Sequence, residues 1–244
     1  MDDSKKMGAS LAQRAMRGLV FAACACLALP AAAVEFSVRI TNLTNGITYT
    51  PFLVAAHPSD TSLFKVGEPA TMALQTMAEG GDISGLVTEL EAVDATLVAN
   101  PAGGLLAPGA STTADLNTDG TDNTLLSIVA MLLPTNDAFA GLNAISIPSE
   151  PGVYVHNLNA YDAGTEANDE IVNGGGALNV PGIPAAPGGS GTGGSGVTGA
   201  DTNSTVHVHR GVLGDTDPTG GVSDLDSTIH RWLNPVARVT ITVN

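Results

Sequence analysis

Beyond residue 33 the chain contains no cysteine, because Cys24 and Cys26 are the only two in its 244 residues. A disulfide framework, a thiolate zinc site and a cysteine nucleophile are therefore excluded for the rest of the chain. Basic side chains are almost as scarce. With the four basic and two acidic residues of the first 33 set aside, residues 34–244 carry five Lys and Arg against 22 Asp and Glu, a formal charge of −17. Such a surface repels phosphate backbones and anionic membranes, so nucleic acid is not an expected partner. Aromatic residues are few, with one Trp and three Tyr, which leaves little on which to stack a sugar. No apolar run reaches the roughly 20 residues of a membrane span.

What is present at the start is an address. Lys5, Lys6, Arg14 and Arg17 precede an apolar run at 19–29, followed by Pro30 and the small residues Ala31, Ala32 and Ala33. Residues 1–33 read as a secretory signal cleaved after Ala33, which places the chain in a periplasm or outside the cell. A loosely lipobox-like 21–24 offers acylation of Cys24 as the alternative.

The remaining 211 residues suit one large all-β domain, 34–244. Gly and Pro number 29 and 14, as short strands joined by many turns require. Phe36, Val38 and Ile40 alternate with polar neighbours, a half-buried strand by its period of two. Further strands are expected at 49–56, 111–116, 125–133, 153–158, 205–212 and 236–243. A helix is expected over 68–79, with Pro69 in its first turn and Gly80 ending it, and a second from Asp82 to about Glu91. These are insertions in an antiparallel β-sandwich. The stretch 173–204, with its GGSGTGGSG, is expected to be a flexible loop inside the domain.

Candidate chemistry concentrates in two loops, PTND at 134–137 and YDAGTE at 161–166. Gly164 permits a tight turn that brings Asp162 and Glu166 toward a common point. Loop acids from two segments suit a hard cation such as calcium, which takes six to eight oxygens in irregular geometry. The plainer alternative is an Asx-turn at Asp162 with Glu166 solvated. Asp115, Asn117, Asp119 and Gly120 open like an EF-hand loop, but Leu126 stands where its glutamate belongs, and a polar hairpin turn is expected instead. His207 and His209 lie two apart, and with His156 could bind copper or zinc from adjacent strands; the alternative is ordinary strand histidines. The chain lacks G-x-S-x-G, H-E-x-x-H and phosphate-loop motifs. Asp137, Asp162 and Glu166 as a hydrolase acid/base set remain a third possibility, but no enzyme activity is expected.

PTNDAF (134–139), YDAGTE (161–166), an early AAH (55–57) and NPVARVTI (234–241) together resemble the spondin N-terminal domain family, which includes the extracellular-matrix protein F-spondin. The resemblance runs from about Glu35 to the C-terminus. It implies a β-sandwich of the C-two-like type and a calcium ion held by three loop aspartates, which match Asp137, Asp162 and Glu166 here. Glu166 departs from the pattern by one methylene. The resemblance also implies a secreted binding or adhesion module, its partner a protein or glycan at the cell surface, and His57, which matches the family's AAH histidine, is expected to pack or to orient a loop.

Overall fold

A computed structural model describes residues 34–197 and 203–244; the secretory signal expected at 1–33 and the alternative of acylation at Cys24 fall outside them. Ten strands and two helices follow one another: β1 Glu35–Asn42, β2 Thr48–Tyr49, β3 Leu53–His57, α1 Met72–Gly80, α2 Ser84–Glu91, β4 Thr96–Ala99, β5 Ser111–Asn117, β6 Leu125–Leu133, β7 Ala138–Ser146, β8 Gly152–Asp162, β9 His207–Val208 and β10 Ala237–Val243. The all-β antiparallel expectation holds. The pairing, however, forms one bent path, β4-β3-β6-β7-β8-β10-β1-β5, with β2 on β6 and β9 on β8. This nearly closed, barrel-like sheet exists because β8 serves both halves. Its residues 152–158 pair with β10 and its residues 159–162 with β7.

The continuous apolar run of β6 follows from burial on both faces. Ile128, Ala130 and Leu132 meet Phe36, Val38, Ile40, Val239 and Ile241 inside the sheet. Val129 and Met131 face the other way, beneath Leu74 and Met77 of α1 and Leu86 and Leu90 of α2. Each such Leu, Ile or Phe contributes about 1.5–3 kcal/mol by burial. Helix α1 begins later than Pro69 implies, because the Thr71 side chain accepts the Leu74 N–H and so sets the cap.

One strand lies outside those expected from the sequence, and two expectations are corrected. β7 is a strand although its AFAGLNAIS pattern is small and poor in β-branched residues; pairing with β6 over Leu125–Met131 overrides that propensity. The strand expected at 205–212 shrinks to His207–Val208. Beyond it the backbone is held by side chains instead: Glu170 accepts the N–H groups of Leu213 and Gly214. The turn after β5 is not a hairpin, since β5 pairs with β1 and the following β6 with β3 and β7.

The Gly-rich stretch at 173–204 has no regular element among its described residues, yet it has definite attachments. Ile183 is fully buried against Val212 and Leu225. Asp224 accepts the N–H groups of Val172, Thr192 and Gly194. Carboxylates here satisfy backbone donors that a ladder would otherwise take.

Candidate functional site

Ala138 at the start of β7 stands opposite Asp162 at the end of β8, so the loops entering one strand and leaving the other lie together. This register places Asp137 beside the 162–166 turn. Asp162 Oδ1 accepts the Gly164 N–H at 2.8 Å, so the Asx-turn does form. Gly164 adopts φ +71°, and a Cβ there would lie 2.8 Å from both N and O of Thr205. Only glycine lets the loop close against that neighbour.

Asp137 is fully buried. Its Oδ2 accepts the N–H groups of Thr165 and Glu166, at 2.8 and 3.1 Å, and the Thr165 hydroxyl at 3.2 Å. Glu166 Oε2 accepts the Gly182 N–H at 3.0 Å and Asn136 Nδ2 at 3.4 Å. The other oxygen of each, Asp137 Oδ1 and Glu166 Oε1, is buried without a hydrogen-bond partner among the described residues. Burial, reinforced by the charge of Asp162, pushes the Asp137 carboxyl up to about 7 against the pull of its backbone donors. Burial likewise raises Glu166 to about 7, with the charges of Glu79 and Asp137 adding to it and the Gly182 N–H opposing.

Asp162 Oδ2 takes the Asn168 Nδ2 at 2.7 Å and faces two histidines, His207 Nε2 at 3.8 Å and His209 Nε2 at 3.9 Å. His209 Nδ1 accepts the Gly211 N–H at 2.9 Å, so the ring proton sits on Nε2, aimed at Asn168 Oδ1 at 3.1 Å. Both nitrogens are thereby committed. Burial pushes this imidazole down to about 4. His207 Nδ1 lies 2.8 Å from the Thr205 carbonyl. His156 pairs with Val239 instead; six residues before Asp162 along β8, it is roughly 20 Å away. The structure thus brings His207 and His209 to Asp162 and leaves His156 apart. Among the described residues, no three His, Cys, Asp or Glu side chains are already gathered around one metal-sized point.

His57 and Ser127 are both fully buried, with Nε2 and Oγ 2.7 Å apart, joining β3 to β6. Enclosed in this way, the pair cannot meet a substrate, and the histidine packs the core.

Three side chains of the site escape sequence reasoning. Glu79 is buried on α1, where Oε1 accepts Gln75 Nε2 at 2.7 Å and Oε2 the Asn179 N–H at 3.2 Å. The signal for it is the Gln75/Glu79 spacing of four beside the buried Met77 and Ala78. Asn136, inside PTND but not itself a candidate ligand, links Glu166 to Asp169, and Asn168, which no local pattern marks, links Asp162 to His209.

Residues 40–171, more than half of the chain, match the Spondin_N family model. No curated protein matches the chain.

Proposed function

Since the chain belongs to the spondin N-terminal domain family, we propose that it is a secreted, calcium-binding module of the cell envelope or extracellular space that binds or adheres and carries out no catalytic step. The observation that supports a cation is the pair of buried, unpartnered oxygens, Asp137 Oδ1 and Glu166 Oε1, supplied by two different loops. An ionised carboxylate in that position costs several kcal/mol unless a positive charge meets it. Asp137 and Glu166 would hold the ion through these oxygens, with Asp162 as the third carboxylate; carbonyls and water complete the six to eight oxygens that calcium takes. When bound, the ion supplies charge neutralisation that fixes the 134–137 and 162–166 loops. The bent sheet is in this reading a variant of the C-two-like sandwich whose halves share β8.

The histidines favour a supporting role. With His209 holding its proton on Nε2 and His156 remote, copper or zinc lacks a convergent set of nitrogen ligands.

Melting in excess calcium and in chelator, with metal analysis after dialysis, tests the reading. A ligand that binds only the folded state at a hundredfold excess over Kd stabilises by about 2.7 kcal/mol, which in a domain of this size is a rise of roughly 5–10 °C. Asp137→Asn should abolish most of it. Equal melting temperatures and no retained calcium would remove the cation from the site; stoichiometric copper or zinc would reinstate the histidines.

A further inference from the structure

Strands β8, β10, β1 and β5 turn one face to the core and the other to solvent. The register aligns the outward side chains. Across β1 and β10, Arg39 stands opposite Thr240 and Thr41 opposite Arg238; across β1 and β5, Arg39 stands opposite Thr113 and Thr41 opposite Ser111. Two of the five basic residues of 34–244 therefore meet as diagonal neighbours, with Cα atoms roughly 7–8 Å apart, in a field of hydroxyls.

In a segment with 22 acids, an exposed arginine ordinarily finds a carboxylate. These two do not. Among the described residues the ion pairs are Lys65 with Glu68 and the two histidines with Asp162; Arg39 donates to the Ser111 hydroxyl at 3.3 Å. Of the acids on this face, Asp115 is the diagonal neighbour of Arg39 across β5, two positions along from Thr113, and Glu35 lies at the end of β1; among the described residues neither forms an ion pair with Arg39. The more distant acids of the chain do not cancel the pair, because the Debye length is about 8 Å at physiological salt.

The chemistry of the face selects the occupant. It carries no aromatic or large aliphatic anchor of the kind on which protein partners rely; the flanking apolar groups are the small Val153 and Val155, 67% and 58% exposed. It offers two planar guanidinium forks, which match carboxylates bidentately, and hydroxyls that donate and accept. We propose that this face binds an acidic polysaccharide built from uronic acids, the arginines pairing with successive carboxylates and the threonines and serines with sugar hydroxyls. None of the proposed cation ligands takes part, so the two readings stand or fall separately.

Affinity electrophoresis of the purified protein through gels containing soluble polygalacturonate, run in chelator so that calcium cannot bridge the two polyanions, tests the face. Retardation that fades with salt is expected, and it should weaken about tenfold in the double variant Arg39→Gln, Arg238→Gln and strengthen in Asp115→Asn. All three positions are exposed, so unchanged melting will show that the variants fold. No retardation in chelator, or retardation equal in wild type and double variant, would overturn the proposal. So would equal retardation by neutral dextran, or stronger retardation by poly-glutamate or by dextran sulfate, which would reassign the face to an acidic protein or a sulfated glycan.

Discussion

The backbone N–H of Glu166 donates to Oδ2 of Asp137 at 3.1 Å, so the residue that brings the second carboxylate also fixes the first. Each then keeps one buried oxygen without a partner. Ionised together in that setting, the two groups repel each other and lose hydration, and either protons or a cation must compensate.

Protons are the compensation in metal-free protein. Asp137 and Glu166 hold theirs to about pH 7 when folded, against ordinary values of 3.8 and 4.5. The folded state therefore binds more protons than the unfolded chain between about pH 4 and 7, and stability should fall as pH rises through that window. Excess calcium, by displacing the protons, should flatten the fall. Melting temperatures from pH 4 to 8 in chelator and in calcium check this; superimposable curves would refute it.

His209 acts in the opposite sense. Its folded value is pushed to about 4 from 6.5, so the unfolded chain takes up the proton first. The stability it contributes should be complete above pH 6.5 and lost as pH falls toward 4. In calcium this becomes the visible acid limb of the stability curve, and His209→Gln should shorten it. Nitrogen shifts of the ring should report a proton on Nε2 at neutral pH; a proton on Nδ1 would contradict the assigned network.

Glu79→Gln tests whether α1 belongs to the site electrostatically. The amide oxygen can still accept the Asn179 N–H, while the negative charge that acts on Glu166 is gone. Calcium affinity should fall about threefold, the scale of one screened, partly buried charge, and metal-free protein should become slightly more stable. Calorimetric titration measures both the affinity and its sign.

Gly164→Ala should cost about 2 kcal/mol. The residue sits at φ +71° with the Thr205 backbone 2.8 Å from where a Cβ would stand, and positive φ alone strains any other residue by 1–3 kcal/mol, roughly. Chemical denaturation reads the loss. A neutral result would mean that the 203–205 backbone yields freely.

Asp224→Ala should release the glycine-rich stretch. That one carboxylate accepts three backbone N–H groups and the Thr192 hydroxyl. Limited proteolysis within 184–197 should accelerate about tenfold, the effect of roughly 1.4 kcal/mol on a local opening, while unfolding of the sheet should change little.

Strands whose periodicity reflects their burial were legible, as the alternation of Phe36, Val38 and Ile40 and the double-sided run of β6 demonstrate. β7 was not, because Ala138, Ala140 and Gly141 are selected by close packing, and packing partners are invisible locally. Asp137, Asp162 and Glu166 were readable as loop acids near turn-forming residues. Asn136 and the buried Glu79 owe their roles to contacts 30 and 100 residues distant in sequence, which no short window along the chain contains; Asn168 lies only six residues from Asp162, but nothing in the local sequence marks that contact. The same holds for 173–204, whose composition resembles a free linker while its anchor, Asp224, lies beyond it.

Phe36 and Val243 face each other at one end of the seven-pair ladder between β1 and β10. Tension applied across those two positions would open the pairs one after another, like a zipper, instead of shearing all seven at once. A module tethered at both points would therefore yield at low force. Single-molecule pulling across Phe36 and Val243 should give rupture well below that for pulling across Glu35 and Ser111, which lie at opposite ends of the β1–β5 ladder and load its pairs in shear, and equal forces would show that another element bears the load.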